Sequence, residues 1–514
     1  MLDLLRKVYQ FDVFVALETL QTMPSSYLYK TLKTHIKDYY PGNYRFLLVN
    51  NIKLQNKDVL QHTINTLGLL KIPNNLVLVV TDQEDVKNFF KQNDIEVKFA
   101  HIKETFPSGN SKPIFNIDNK LCPYAWAGFH IDPEGWVRPC CDFYGSYLKD
   151  DGVLLDASKD SFEKIINSSD MKLIREQFRK GEQPEGCKKN CLDAPIGKYS
   201  RYAHSKYKLE NIYGEIDWES EGEIKFLNGH LSNLCNLGCV ICNPRSSSII
   251  AVEDLKVNNK GNIKENPKYH MFQTGLNALN ENSYLWEEVD SNLNKIKNFE
   301  LLGGEPFLNK RIINLIEQLI SNGHSKDCIL QIVTNGTQFP DICNYLHNFK
   351  KVFIHLSIDD IEERFEYERY LGKWGIVSSN IQKFDNLSKE HNNIKIHFAV
   401  AVSILNAYYL PELVEYFSQY NYETYYFGDV HDPKQLSLNN LTQQAKDALI
   451  LRLSEFVNKY PQLEFVINLV KNTKLVDGID FCKYIKYKDT LRNLNLLNTH
   501  KEIGELMGYS NFNN

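Results

Sequence analysis

Apolar positions recur with two different periods along this chain of 514 residues. Short apolar runs bounded by turn residues predict buried strands, and apolar positions three and four apart predict helices. Between residues 216 and 430 the two patterns alternate. Strands are predicted at Glu223–Leu227, Asn298–Leu302, Leu330–Thr334, Val352–Ile358, Ile394–Val402 and Thr424–Phe427. The clearest intervening helix places Ile312, Leu315, Ile316, Leu319 and Ile320 on one face, with Gly323 suited to its C-terminal end. Six strand–helix repeats predict an α/β fold with a parallel sheet, a barrel left open or incomplete relative to the eight-fold form. In such folds functional groups gather at the C-terminal strand ends. Gly303–Pro306, Thr334-Asn335-Gly336 and Ser357-Ile358-Asp359 all fall there.

The flanks read differently. Residues 1–110 predict a small α/β domain with strands at Tyr44–Val49, Leu76–Val80 and Ile95–Ile102 and helices near Asp58–Leu69 and Glu84–Lys91. No glycine-rich phosphate loop follows either of the first two strands, so a docking or substrate-contact role is expected. Residues 111–215 carry Ala127–Ile131 and Trp136–Arg138 around the turn sequence Asp132-Pro133-Glu134-Gly135, which predicts a hairpin. Residues 431–514 predict a helical extension, with one helix within Gln443–Tyr460.

Composition narrows the function classes. Hydrophobic residues make up 43% and charged residues 24%, an ordinary soluble balance. A net charge of -5 supplies no general basic face for nucleic acid or anionic lipid. No apolar run approaches the roughly 18 residues of a membrane helix; Phe398–Leu405 is among the longest. The opening Met1-Leu2-Asp3-Leu4-Leu5-Arg6-Lys7 lacks a signal-peptide core, so a cytoplasmic location is expected. In that reducing compartment the eleven cysteines read as ligands more readily than as disulfides.

The spacing of those cysteines carries the chemistry. Cys235, Cys239 and Cys242 form C-x3-C-x2-C, short enough for one loop to wrap three thiolates around a metal cluster. A four-iron cubane held by three cysteines leaves one iron open to a substrate or cofactor. A structural zinc site is the competing reading; it needs a fourth ligand, for which His230 is the nearest candidate. A second set comprises Cys122, Cys140, Cys141, Cys187 and Cys191. The hairpin brings Cys122 toward Cys140, and Cys187 and Cys191 lie one helical turn apart. Four thiolates complete a [4Fe–4S] or a zinc site, and their spacing does not choose between the two.

The cysteine loop together with Gly303-Gly304-Glu305-Pro306 resembles the radical S-adenosylmethionine (SAM) superfamily. That resemblance implies a partial (β/α)6 barrel at residues 216–430, a catalytic [4Fe–4S] cluster on Cys235, Cys239 and Cys242, and SAM on the open iron. It assigns SAM contacts to Gly303, Gly304, Glu305 and Pro306. Cys122, Gly135 and Cys140 with the later cysteine pair resemble the twitch module, a reduced form of the SPASM domain. Here that module precedes the core, as in an N-terminal-twitch subgroup. It implies a second, auxiliary [4Fe–4S] cluster on Cys122, Cys140, Cys187 and Cys191, with Cys140 favoured over Cys141 by its spacing from the glycine.

Further site candidates are Thr334 and Asn335, Ser357 and Asp359, and, after the fifth strand, Ser403 and Asn406. Asp359 reads equally as a SAM contact or as a helix N-terminal carboxylate, and Asn335-Gly336 equally as a turn. Arg364–Tyr370 and Trp374 also resemble that subgroup, but read more readily as an exposed helix with aromatic packing. The implied reaction is reductive SAM cleavage to a 5′-deoxyadenosyl radical, which abstracts hydrogen from a peptide or small metabolite. A flavodoxin-type donor supplies the electron, and the auxiliary cluster transfers electrons. The alternatives are a non-catalytic iron–sulfur electron carrier and a zinc-stabilised interaction module.

Overall fold

A computed structural model describes residues 122–187 except 142, 181 and 183, then 217–258, 283–473 and 476–512, together with four strands nearer the N-terminus. Two compact units are present. One spans Met1–Asn116 with Ala194–His204; the other spans Ile117–Asp193 with Ser205–Asn514.

Within the first unit, β1 (Asp12–Val15), β2 (Arg45–Asn50), β3 (Val77–Val80) and β4 (Lys98–Ala100) form one sheet in chain order. β1 is antiparallel to β2 and the remaining pairs are parallel. The three strands expected from their apolar runs are present, and β1 was not expected. The helices expected between them lie outside the described residues.

The second unit is built on an eight-stranded sheet. Its strands are β5 (Gly128–Ile131), β6 (Val137–Arg138), β9 (Phe226–His230), β11 (Asn298–Leu302), β12 (Ile329–Thr334), β13 (Lys351–Ser357), β15 (Ile394–Val402) and β16 (Thr424–Asp429). Small ladders add β7 (Lys149–Asp150) with β8 (Val153–Leu154), and β10 (Gly238–Cys239) with β14 (Arg369–Tyr370). The main order is β16-β15-β13-β12-β11-β9-β5-β6, parallel throughout except for β6. Six strands therefore follow the expected repeat, in the order a partial barrel requires.

Alternation along the strands explains the layering. Val352, Ile354 and Leu356 are buried, as are Ile394, Ile396, Phe398, Val400 and Val402, whereas Phe353, His355, Ser357, His397 and Ala399 between them are half-buried. One face is covered by helices such as Lys310–Ser321 and Trp374–Glu390; the other carries polar groups. The first helix buries Ile312, Leu315, Ile316 and Leu319 as its pattern predicts. Asn309 caps its start by accepting from Arg311 N, and Gly323 follows its end at φ 76°.

The expected first strand is displaced toward the cysteine loop. Glu223 N and Lys225 N bond the carbonyls of Trp126 and Ala127, and the ladder to β11 begins at Phe226. Asn228, Gly229 and His230 extend it although none favours a strand, because β11 pairs with all three and β5 pairs with Asn228 and Gly229 from the other side. The predicted hairpin is present as β5 and β6, closed by Gly135 N to Asp132 O at 2.8 Å. Its first strand adds in parallel to β9, so the sheet runs continuously through both segments. Helices at Gln443–Phe456, Leu463–Lys471, Ile479–Arg492 and Lys501–Leu506 make up the C-terminal region.

Candidate functional site

The cysteine loop leaves β9 at His230 and is fixed before any metal is considered. Asn233 is fully buried; its side-chain amide donates to Pro244 O and its carbonyl accepts from Ser248 N. Ser248 Oγ accepts from Cys235 N and donates to Cys235 O. Ser247 Oγ donates to Leu237 O at 2.7 Å. The helix Ser248–Asn258 thus anchors both ends of the turn carrying Cys235.

The Gly303–Pro306 turn docks against this loop. Gly303 (φ 86°) and Gly304 (φ 35°) adopt left-handed backbone that L side chains rarely occupy. A Cβ on Gly303 would lie 2.6 Å from Ser232 O, and one on Gly304 would overlap Leu234 O. Glu305 N then donates to Leu234 O at 2.8 Å. Glycine is required here because two backbones touch.

Glu305 is 1% exposed, and its carboxylate organises the next strand end. Oε1 accepts from Thr334 Oγ1 at 2.8 Å and Phe307 N at 3.2 Å, and Oε2 accepts from Asn335 N at 2.7 Å. Burial pushes its pKa up to about 7 despite these donors. Asn335 passes the contact on: its Nδ2 donates to Asn236 Oδ1 at 3.2 Å and toward Cys235 Sγ at 3.7 Å. Thr334, Asn335, Glu305 and the cysteine loop are therefore one hydrogen-bonded assembly.

Burial raises the pKa of all three thiols, that of Cys242 to about 11, and the Arg369 guanidinium offsets part of this for each. Arg369 belongs to β14, which pairs with β10 so that Arg369 faces Cys239. Its Nη1 lies 4.0 Å from Cys239 Sγ, and its Nη2 pairs with Asp359 at 2.7 Å. This corrects the expectation of an exposed helix over Arg364–Tyr370. The helix ends at Glu368, and Arg369 is 6% exposed, kept charged in the interior by Asp359.

Asp359 caps no helix: the following helix starts at Glu362 after Ile361, with no side-chain cap. Beyond Arg369, its Oδ1 accepts from Ala401 N. Asn406 is fully buried and bonds Ser403 N, Ala401 O and Asp359 O, and Ser403 Oγ accepts from Leu405 N. Both brace the fifth strand end against Asp359. Ser357 closes β13, half-buried.

The donor set suits a multi-iron cluster. Thiolates around one zinc ion lie ~3.8 Å apart. Among the described residues the three-donor group gathered within 4.8 Å lies elsewhere and contains none of these cysteines. His230, the candidate fourth ligand of a zinc site, packs edge-on against His130 at 5.6 Å, and burial pushes its pKa down to about 3.

In the second cysteine set, Cys122 and Cys187 are buried in the core and Cys140 packs against it, whereas Cys141 is exposed. Tyr144 N donates to Gly186 O at 2.8 Å, which ties the Cys140 loop to the turn bearing Cys187. Arg175 is fully buried and donates to Ala125 O, Ile166 O and Asn167 Oδ1, holding the Cys122 segment to its helix. Cys191 lies outside the described residues.

The C-terminal helix Ile479–Arg492 closes the site from behind and left no local signal in the sequence. Tyr484 Oη donates to Val240 O at 2.9 Å, and Lys488 and Arg492 grip Glu253 on the helix after the cysteine loop. Among the described residues no helix is long and apolar enough to cross a membrane.

A family model described as the radical SAM superfamily matches residues 230–417, and one described as an iron–sulfur cluster-binding domain, SPASM, matches residues 122–192. The radical SAM cyclopropyl synthase TigE of Paramaledivibacter caminithermalis is 25% identical over 280 residues, 54% of this chain and 53% of its own. A GTP 3′,8-cyclase of Desulforamulus reducens is 26% identical over 185 residues, covering 36% of this chain and 48% of its own. The chain thus spans about half the length of these curated relatives. A solved structure of anSMEcpe with bound AdoMet aligns with a TM-score of 0.32 at 18% identity, over 50% of this chain and 65% of that one.

Proposed function

We propose that this chain, which belongs to the radical SAM superfamily and carries a SPASM domain, generates a substrate radical from SAM on the cluster held by Cys235, Cys239 and Cys242. The superfamily's cofactors are SAM and a [4Fe–4S] cluster, with auxiliary iron–sulfur ligation in the SPASM domain. When bound, they supply a 5′-deoxyadenosyl radical by reductive cleavage of the sulfonium.

The observation that carries this reading is the docking of Gly303–Glu305 on the backbone of Ser232–Leu234. A cysteine loop serving only as a structural knot has no need of a second, strained glycine turn ending in a buried carboxylate. Here that carboxylate is held by Thr334, Asn335 and Phe307, so the turn is fixed from both sides. Glu305 and the turn backbone would receive the SAM amine. Thr334, Asn335 and Ser357 line the neighbouring strand ends, and Asp359 acts through Arg369. Cys122, Cys140, Cys187 and Cys191 would hold a second [4Fe–4S] cluster that accepts an electron from the substrate. The substrate is a peptide or small metabolite, the electron donor is of flavodoxin type, and the compartment is the cytoplasm, where thiols stay reduced.

The test is anaerobic reconstitution followed by SAM and dithionite. The reading requires 5′-deoxyadenosine and methionine from the wild type and neither from Cys242→Ala. An iron–sulfur protein that fails to bind or cleave SAM would make it an electron carrier. A colourless zinc protein would remove both cluster assignments.

A further inference from the structure

Behind the cysteine loop lies a second convergence of donors. Asp360 follows β13, Glu368 ends the helix Glu362–Glu368, and His500 precedes the helix Lys501–Leu506. One donor atom from each lies within 4.8 Å of the others, and the residues are 1%, 3% and 0% exposed. His500 lies 132 residues beyond Glu368 in the chain and meets it in the interior.

Thr499 Oγ1 lies 2.8 Å from His500 Nδ1 and 3.4 Å from Leu496 O, and His500 Nε2 faces Glu368 Oε1 from 3.1 Å. The tautomer with its proton on Nδ1 donates to Thr499 Oγ1 and turns the Nε2 lone pair toward the carboxylate, the form a bridging cation selects. The other oxygen of Glu368, Oε2, is buried and has no hydrogen-bond partner. Asp360 is oriented by Ile361 N at 2.7 Å and Arg364 Nε at 2.8 Å.

We propose that Asp360, Glu368 and His500 form a metal site of their own, taking one divalent ion of the zinc or manganese kind through two carboxylates and His500 Nε2. Mixed nitrogen and oxygen donors suit these ions. With an ion on Nε2, Nδ1 would donate to Thr499 Oγ1, 2.8 Å away, the outer hydrogen bond that orients a metal-binding imidazole. The ion would join the C-terminal region, through His500, to the segment whose next residue, Arg369, contacts Cys239. The proposal does not depend on SAM cleavage.

The test uses the full chain with its clusters loaded. Cubane clusters contain iron and sulfide in equal numbers, so a separate ion appears as transition metal in excess of sulfide. One excess metal per chain is expected in the wild type and none in Glu368→Gln or His500→Gln, with sulfide unchanged in both. Adding Zn2+ or Mn2+ to wild type stripped of the excess metal raises Tm, and the variants do not respond. Should the variants fail to fold, Mn2+ bound to the wild type must show imidazole nitrogen coupling in pulsed electron paramagnetic resonance. Metal equal to sulfide with no Tm response to either ion overturns the site and leaves a proton shared between Glu368 and His500. Excess metal persisting in both folded variants, or Mn2+ without nitrogen coupling, overturns it equally.

Discussion

Arg369 and Asp359 form a buried ion pair 2.7 Å apart, and the arginine's other terminal nitrogen lies 4.0 Å from Cys239 Sγ. The pair links the end of the fourth parallel strand to the cysteine loop. Removing one member leaves the other charged and dry, which costs about 3–5 kcal/mol. Arg369→Leu is therefore expected to lose that much stability in urea unfolding. The double variant Asp359→Asn with Arg369→Leu should recover a large part of it, because no charge is left unpaired. Equal losses in the single and double variants would mean that the guanidinium acts through packing alone.

Gly304→Ala tests the contact between the two turns. The added methyl must overlap Leu234 O, and φ of 35° is unfavourable for alanine. Left-handed strain alone costs about 1–3 kcal/mol, and the clash displaces Glu305 from Leu234. We expect a lowered Tm together with loss of SAM binding by equilibrium dialysis. Gly323→Ala is the control, since its φ is also positive but no atom lies within 4 Å of the added carbon. That variant should lose stability and retain SAM.

The strand ladder, the amphipathic helix Lys310–Ser321 and the hairpin at Asp132–Gly135 were legible because each depends on residues close in sequence. The assembly around the cysteines was only partly so. Glu305 was visible in its turn, but its hold on Asn335 joins two strands and leaves no local pattern. Arg369 was misread because its run of charged and aromatic residues looks like a solvated helix, and only Asp359, distant in the chain, makes its burial tolerable. The clamp of Tyr484, Lys488 and Arg492 on the loop and on Glu253 was invisible for the same reason. Asn406 pointed to a ligand in sequence, yet its amide is taken up by Ser403, Ala401 and Asp359.

Glu305 makes the apoprotein pH-sensitive. Its folded pKa is raised from 4.5 to about 7, so between those values the folded state binds more protons than the unfolded one. Stability from this group is then greatest at low pH and falls as pH rises toward about 7, by about 3 kcal/mol in all, with no further change above that. Glu305→Gln should remove this slope in urea unfolding followed from about pH 5 to about pH 8. SAM binding should change in the opposite sense, strengthening as pH rises through about 7, because the ionised carboxylate attracts the SAM ammonium. A wild-type slope identical to that of Glu305→Gln would refute the burial argument.

The proposed auxiliary ligand set separates two adjacent cysteines. Cys140 packs against the core that contains Cys122 and Cys187, while Cys141 is exposed. Ligation draws a side chain inward and excludes water from the cluster, so the inward-packed thiol is the expected ligand. The neighbouring bond from Tyr144 N to Gly186 O holds the Cys140 loop against the turn bearing Cys187 and favours the same choice. Cys140→Ser should therefore lower iron by about four per chain, the content of one cubane. Cys141→Ser should keep the full complement. Iron and sulfide counted in parallel after anaerobic reconstitution decide between them, and the cluster proposed on Cys235, Cys239 and Cys242 should persist in both variants. Iron loss in Cys141→Ser but not in Cys140→Ser would reverse the assignment, and no loss in either would place auxiliary ligation on other residues.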